Sequence, residues 1–208
     1  MTKIKICGLK RTEDIEYVNE LLPDYAGFVF AESSRRISLK EARKLISLLD
    51  KNIKTVGVFK DEEIEKVRYA AEYLKLDVIQ LHGSEDADYI KKLSDYKVWK
   101  AVGIDPKAAC LDQSINALDE YEIDGILLDS SVEGVKGGTG VSFQWDIINN
   151  RNIRKKLILA GGLNPENVEN AIRKAKPYAA DVSSGVEEDG VKSYKKIKKF
   201  IEKVRKMT

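Results

Sequence analysis

The chain has 208 residues, with 36 lysines and arginines against 34 aspartates and glutamates, so its formal net charge is only +2. This balance gives no reason to expect nucleic acid or a membrane surface as a partner. No apolar run approaches the roughly 20 residues of a membrane span, and the N-terminus lacks the apolar stretch of a signal peptide. We therefore expect a cytoplasmic protein.

The cysteines and the histidine of the chain predict no metal site. Cys7 and Cys110 lie far apart and have no CxxC spacing, so they indicate neither a disulfide framework nor a zinc site. His82 is the only histidine, and no spacing of carboxylates suggests partners for it as a metal ligand. We expect a protein that binds no metal.

Short β-branched or aliphatic runs recur along the chain and predict β-strands. In chain order they cover residues 3–7, 26–30, 55–59, 77–81, 98–102, 125–129, 157–160 and 179–182. Longer stretches with amphipathic patterns lie between most of these runs. Strands that alternate with helices are typical of a parallel sheet with right-handed crossover connections.

The helical patterns have recognisable beginnings. Residues 39–49 carry apolar side chains at 3.6-residue spacing and follow a capping box that begins at Ser38. Residues 64–76 repeat the apolar pattern. Asn164 and Pro165 predict a helix start, with the asparagine as N-cap and the proline as the first helical residue. The last stretch places one apolar face on a helix, formed by Tyr194, Ile197, Phe200, Ile201 and Val204.

Eight strands in 208 residues give one strand–helix unit per about 26 residues. Eight such units that close on themselves form a (β/α)8 TIM barrel, at the small end of its range of about 200 to more than 400 residues. The alternative is an open doubly wound sheet, but no Gly-rich dinucleotide fingerprint follows the first strand. The weakest elements are a helix around residues 106–118 and a long loop at 130–140. No linker divides the chain, so we predict one α/β domain over residues 1–208.

In a TIM barrel the active site lies where strands end and the following loops begin. Polar residues and glycines gather at these points of the sequence, while the strand bodies stay apolar. In chain order they are Cys7, Arg35 with Arg36, Lys60, His82, Gly103, Asp129, Gly161 with Gly162, and Ser183, Ser184 and Gly185. This concentration predicts an active site at that face of the barrel.

The last two of these points predict a phosphate site, because TIM barrels commonly bind phosphate with the loops after strands seven and eight. The Gly161-Gly162 pair, followed by Asn164, lets backbone N–H groups approach an anion closely. The Ser183-Ser184 pair and Gly185 add two hydroxyls and a third glycine, and predict a helix turn that points at the same spot. One glycine cluster alone is more often a tight turn; two at these places favour phosphate binding.

Cys7 and Asp129, which end strands one and six, are the candidates for acid–base chemistry. Residues alternate faces in a strand, so Ile6 should face the helices while Lys5 and Cys7 point into the barrel. A lone cysteine is usually a small buried hydrophobe, but one at this rim is a candidate base. Asp129 follows three apolar residues, where burial favours the protonated form that a general acid needs, although a cap or an ion pair is an equal alternative. We hypothesise that Lys5 lowers the pKa of the Cys7 thiol.

Nine short blocks then occur in one order along essentially the whole chain. They are Lys5-Ile6-Cys7-Gly8, Gly27-Phe28-Val29-Phe30, Ser34-Arg35-Arg36-Ile37-Ser38, Val56-Gly57-Val58-Phe59, Gln80-Leu81-His82-Gly83, Leu127-Leu128-Asp129, Gly137-Gly138-Thr139-Gly140, Gly161-Gly162-Leu163-Asn164-Pro165-Glu166-Asn167-Val168 and Asp181-Val182-Ser183-Ser184-Gly185-Val186-Glu187. This ordered set resembles the phosphoribosylanthranilate isomerases of tryptophan biosynthesis. Each block alone is modestly specific, whereas the order of all nine is highly specific.

The resemblance implies an Amadori rearrangement of N-(5-phosphoribosyl)anthranilate to 1-(2-carboxyphenylamino)-1-deoxyribulose 5-phosphate, without a metal or an organic cofactor. Cys7 matches the family's general base, Asp129 its general acid, and Arg35 its substrate-binding arginine. His82 and Asp181 are expected to bind the substrate as well. The expected partner is this small phosphorylated substrate, with no nucleic acid or membrane, and the expected assembly is a monomer or a homodimer.

Other functions remain alternatives. One is a different phosphate-binding TIM barrel: the isomerase of histidine biosynthesis, a thiamin-phosphate synthase or a pentulose-phosphate epimerase. The histidine-pathway enzyme uses an aspartate where this chain has Cys7, and the epimerase would want more metal-binding histidines. A non-catalytic phosphate-binding barrel would not need Cys7 and Asp129 together. One departure from the family pattern is Gln144, where an aspartate is expected, and it bears on a local helix start rather than on the chemistry.

Overall fold

The computed structural model describes residues 1–103, 118, 121–129 and 154–207. Eight strands form its centre: β1 (Lys3–Cys7), β2 (Tyr25–Val29), β3 (Lys54–Phe59), β4 (Val78–Leu81), β5 (Val98–Gly103), β6 (Gly125–Asp129), β7 (Lys156–Ala160) and β8 (Ala179–Val182). The predicted bounds of β1, β6 and β8 are confirmed. The other five strands differ from their predicted bounds by no more than one residue at either end.

The strands pair in chain order to form one closed parallel barrel. The closure is made by β1 and β8, in which Lys5 lies opposite Asp181. The predicted (β/α)8 TIM barrel is therefore confirmed. All eight strands run the same way, so their carboxyl ends, and the loops that follow them, meet at a single mouth.

Helices surround the barrel in the described part of the chain. They are α1 (Thr12–Leu21), α2 (Leu39–Ser47), α3 (Ile64–Leu74), α4 (Ala87–Lys91), α5 (Val168–Ala175) and α6 (Tyr194–Lys206). The predicted capping box at the start of α2 is confirmed, because Ser38 and Glu41 exchange side chain-to-backbone hydrogen bonds. Helix α3 ends two residues earlier than predicted, where Lys75 adopts the left-handed conformation with φ of 55°.

The predicted helix start at Asn164 is wrong, because α5 begins only at Val168. The side-chain oxygen of Asn164 accepts hydrogen bonds from the backbone N–H groups of Glu166 at 2.8 Å and Asn167 at 3.0 Å. These bonds close an Asx turn, which asparagine readily forms, and the Val168 N–H donates to the Asn164 carbonyl oxygen at 3.1 Å to join this turn to the helix. The Asn-Pro pair therefore starts a turn, and the helix follows it.

Two apolar layers hold the fold together. The larger lies between the barrel and the helices, and it includes Ile4 and Ile6 of β1 together with the buried face of α6. A smaller cluster fills the barrel itself, around Trp99 and Tyr25. The predicted orientation of β1 is confirmed, since Lys5 is fully buried and binds side chains that point into the barrel.

After β8 the chain forms a single 3-10 turn (Ser184–Val186) and a short antiparallel hairpin of β9 (Glu187–Glu188) and β10 (Val191–Lys192). None of the helices in the described ranges is both long and apolar enough to cross a membrane. Cys110, Gln144, the glycine block at 137–140, the loop at 130–140 and most of the weak helical pattern at 106–118 lie outside the described residues.

Candidate active site

Cys7 lies at the carboxyl end of β1, inside the barrel mouth, and only 8% of the residue is exposed. Burial raises the pKa of its thiol; Lys5 and Lys192 act in the opposite direction, and Asp181 adds to the rise. Lys5 therefore acts on the pKa of the thiol in the hypothesised direction. The resulting pKa nevertheless lies above the ordinary value of a cysteine, because the loss of hydration outweighs the nearby positive charges.

Lys5 is the centre of a polar chain inside the barrel. Its Nζ donates hydrogen bonds to Asp181 Oδ2 and to Gln80 Oε1, each at 2.7 Å. Burial alone would lower the pKa of Lys5, but Asp181 and Cys7 outweigh that effect and raise it, so the ammonium stays charged. Within the described residues, the buried Oδ1 of Asp181 has no hydrogen-bond partner. The predicted substrate-binding residue Asp181 thus presents a buried acceptor inside the barrel.

The same chain continues to His82 and Asp129. An ammonium can only donate, so Gln80 turns its oxygen to Lys5 and its NH2 group to His82 Nδ1, which is 3.3 Å from Gln80 Nε2. Nδ1 is then the acceptor, which places the proton of a neutral His82 on Nε2. That nitrogen lies 3.4 Å from Asp129 Oδ2, and the Asp129 side chain is 16% exposed. The structure therefore brings His82 and Asp129 together at the mouth.

The two arginines after β2 point in different directions. Arg35 lies beside the end of β1 and binds Glu187 with two hydrogen bonds of 2.8 Å, from Nε to Oε1 and from Nη2 to Oε2. Arg36 pairs with Glu32 and lines a cavity of about 460 Å³ between α2 and α3. That cavity lies outside the barrel mouth. Of the two arginines, Arg35 is the one next to Cys7.

The two predicted phosphate loops are in direct contact. Gly161 and Gly162, after β7, have left-handed φ angles of 78° and 64°. Gly185, after β8, packs on the backbone of Leu163, so closely that a Cβ at this position would lie 1.9 Å from the Leu163 carbonyl oxygen. The loops after β7 and β8 therefore form one continuous backbone surface at the mouth, and only a glycine permits it.

The polar side chains of these loops mostly serve the loops themselves. Ser183 Oγ donates a hydrogen bond to the Cys7 carbonyl oxygen at 3.0 Å, which ties the β8 loop to the end of β1. The Asn164 amide closes its own turn, as described above. Ser184 is exposed. In this arrangement a phosphate would meet mainly backbone N–H groups and the Ser184 hydroxyl.

Replacing Gly185 by alanine is expected to raise KM for a phosphorylated substrate and to destabilise the protein by about 1–3 kcal/mol, because the added methyl group forces the two loops apart. Gly190→Ala is the control for a methyl group added in open space, since a Cβ there would meet nothing within 4 Å. Its left-handed φ of 77°, which Gly185 does not share, adds backbone strain to the stability of this variant but does not affect the contact between the loops. KM and the free energy of unfolding, measured for both variants, test this. An unchanged KM in Gly185→Ala would contradict the expected contact between the loops.

Three further residues belong to the site although the sequence did not single them out. The position of Gln80 could have indicated its place in the site, since it lies two residues before His82 and so faces the same side of β4. Glu187 stood in the last of the nine blocks without a role. Lys192, in the hairpin after β8, gave no signal, because its partners Glu187 and Ser183 are reached through a turn.

Comparison with known proteins identifies the family of the chain. The family model described as N-(5'phosphoribosyl)anthranilate (PRA) isomerase matches residues 4–203. The N-(5'-phosphoribosyl)anthranilate isomerase of Thermoanaerobacter sp. (strain X514) is 51% identical over 205 residues, which cover 99% of this chain and 98% of the relative. The crystal structure of phosphoribosyl anthranilate isomerase from Thermotoga maritima has a TM-score of 0.89 at 38% identity and covers 99% of this chain and 100% of its own.

A second crystal structure is that of a phosphoribosyl anthranilate isomerase in complex with reduced 1-(o-carboxyphenylamino)-1-deoxyribulose 5-phosphate. It has a TM-score of 0.86 at 37% identity and covers 99% of this chain and 100% of its own. The matches extend over the barrel from its first strand to its last helix. The chain belongs to the N-(5'-phosphoribosyl)anthranilate isomerase family.

Proposed function

We propose that this chain converts N-(5'-phosphoribosyl)anthranilate to 1-(2-carboxyphenylamino)-1-deoxyribulose 5-phosphate by general acid–base catalysis, with Asp129 as the acid and Cys7 as the base. Membership of the isomerase family supports the reaction. The observation that carries the residue assignment is that a buried thiol and a carboxyl group end β1 and β6 at one mouth of a closed barrel.

The chemistry needs one group of each kind. Asp129 gives a proton to the ring oxygen of the ribose, the bond from that oxygen to C1' breaks, and the nitrogen lone pair forms an iminium. The iminium makes the proton on C2' acidic, and the thiolate form of Cys7 takes it. Burial disfavours this form, and the positive charges of Lys5 and Lys192 favour it. The electrons of the broken C2'–H bond form the C1'–C2' double bond of an enolamine, and the π electrons of the iminium return to the nitrogen. The enolamine becomes the ketone when C1' gains a proton and the C2' hydroxyl loses one. The Asp129 carboxylate left by the first step stabilises the cationic iminium electrostatically.

Binding at both ends of the substrate holds the reacting carbons between these groups. The loops after β7 and β8 supply the phosphate site at one end. At the other end Arg35 is suited to bind the carboxylate of the anthranilate. Cys7, Val29 and Val58 form an apolar cluster, with Ala31 packed against it, and this is a surface on which an aromatic ring can lie. Fixing both ends supplies the orientation that acid–base catalysis needs.

The proposal includes a reaction without a metal or an organic cofactor. It also includes a cytoplasmic location, which suits an enzyme that depends on a reduced thiol. We also propose that the protein is a monomer or a homodimer and that it binds neither nucleic acid nor membrane. Sedimentation of the purified chain would measure the oligomeric state.

Turnover by the wild-type protein tests the proposed function. Phosphoribosylanthranilate is generated in the cuvette and its fluorescence is followed with and without EDTA, while chromatography and mass spectrometry identify the product. We expect fast decay, the same rate in EDTA, and a product with the mass of the substrate. A rate no faster than that without protein would contradict the proposal.

A further inference from the structure

Glu187 binds one edge of the Arg35 guanidinium and leaves the other edge to a ligand. A guanidinium offers two edges that can bind a carboxylate with two hydrogen bonds, one formed by Nε and Nη2 and one by Nη1 and Nη2. Glu187 occupies the first edge, with two hydrogen bonds of 2.8 Å. The Arg35 side chain remains 28% exposed. Its second edge is therefore oriented by Glu187 without being used by it.

Lys192 forms a second ion pair with Glu187. Its Nζ donates a hydrogen bond of 2.6 Å to Glu187 Oε1 and one of 3.0 Å to the Ser183 carbonyl oxygen, and its side chain is almost fully buried. Burial works against the charge of Glu187, yet Arg35 and Lys192 together lower its pKa to about 2. Glu187 is therefore a fixed anion at any pH at which the enzyme would work.

The three charges leave a net positive site. Arg35 and Lys192 contribute two positive charges and Glu187 one negative charge, so the group carries +1. If Lys192 were absent, Glu187 would neutralise Arg35 and remove the attraction for an anion. The group lies beside Cys7, because Lys192 and Arg35 both interact electrostatically with the thiol. An anionic group on the substrate would thus be held next to the proposed base.

We propose that Glu187 and Lys192 are positioning residues that hold Arg35 as a receptor for the carboxylate on the aromatic ring of the substrate, and that they set the preference for a carboxylated substrate; this rests on the function proposed above. Glu187 fixes the direction of the second guanidinium edge. Lys192 keeps the site positive.

The experiment measures the binding of two ligands without turnover. One is reduced 1-(o-carboxyphenylamino)-1-deoxyribulose 5-phosphate, and the other is the same compound with a phenylamino group, which lacks the carboxylate. Their Kd values are measured by calorimetry for the wild type, Glu187→Gln and Lys192→Met. Glu188→Gln is the matched control, since it makes the same charge change one residue away, on a more exposed side chain.

We expect Glu187→Gln and Lys192→Met each to weaken the carboxylated ligand about tenfold or more, which corresponds to the loss of a charged hydrogen bond. The phenylamino ligand should bind both variants within about twofold of the wild type, and Glu188→Gln should bind both ligands as the wild type does. In turnover, Glu187→Gln should raise KM with little change in kcat, as for an interaction made equally in the ground and transition states.

Three results would overturn the inference. Tighter binding of the carboxylated ligand by Glu187→Gln would mean that Glu187 competes with the substrate. Equal weakening of both ligands would mean a merely structural role, and unchanged Kd values for both ligands would mean no role. These outcomes differ from a failure of the proposed function, in which the wild type binds neither ligand, and the inference would then fall with it. If Glu187→Gln does not fold, the Kd values of the two ligands for Lys192→Met still show whether the inference holds.

Discussion

The Asp129→Asn variant is expected to lose about 10²–10⁴-fold in kcat, the usual contribution of a general acid. Asparagine has nearly the same shape as aspartate and can keep a contact with His82, but it has no acidic proton to give to the ribose ring oxygen. Steady-state kinetics measure the loss, and thermal unfolding shows whether the variant is folded. The carboxylated ligand described above should still bind, because Asp129 is proposed to act on the ring oxygen.

A variant that binds this ligand and retains wild-type kcat would contradict the role of Asp129. The nearby His82, 3.4 Å from Asp129 Oδ2, would then be the next candidate for the acid. His82→Asn separates the two assignments, since it should reduce kcat less than Asp129→Asn if the aspartate is the acid.

Lys5→Met is expected to destabilise the protein by about 3–5 kcal/mol, the usual effect of removing one partner from a buried ion pair. Lys5 is fully buried, and its loss would leave the Asp181 carboxylate without its 2.7 Å partner inside the barrel. Urea unfolding measures the free energy. Lys3→Met is the matched control, because Lys3 lies on the same strand and pairs with Asp24 at 2.8 Å, but at the surface. We expect it to change stability by no more than about 1 kcal/mol.

Two further measurements define what Lys5 does. The double variant Lys5→Met with Asp181→Leu should recover much of the lost stability, because two apolar side chains then replace the buried carboxylate that the single variant leaves without its partner. Lys5→Met should also move the pH profile of Cys7 alkylation to higher pH, since Lys5 lowers the pKa of that thiol. A single variant as stable as Lys3→Met, or an unchanged alkylation profile, would contradict this account.

The architecture and much of the site could be predicted because their signals are local. Runs of apolar residues mark the strands, and the alternation of faces correctly placed Lys5 and Cys7 inside the barrel. Positions at strand ends then pointed to His82 and Asp129, which the structure brings together. The assignment of one domain to residues 1–208 remains a prediction, and so do the catalytic and binding roles.

The remaining features depend on tertiary contacts that leave no local pattern. Arg35 and Glu187 are 152 positions apart, and the turn and hairpin after β8 bring Lys192 to them. The pKa of Cys7 could not be predicted from the charge of Lys5 alone, because burial dominates it. Asn164 misled the prediction of α5 because the same side chain that caps helices also closes turns.

The most direct test of the central claim, that Cys7 removes the C2' proton, is a single-turnover comparison of the wild type with Cys7→Ser. Enzyme in excess is mixed with phosphoribosylanthranilate, and the fluorescence decay is followed, while binding of the phenylamino ligand confirms that Cys7→Ser is folded. We predict a decay at least about 10²-fold slower in the variant, because a serine hydroxyl is a far weaker source of the anionic base. Decay as fast as that of the wild type would show that another group removes the proton.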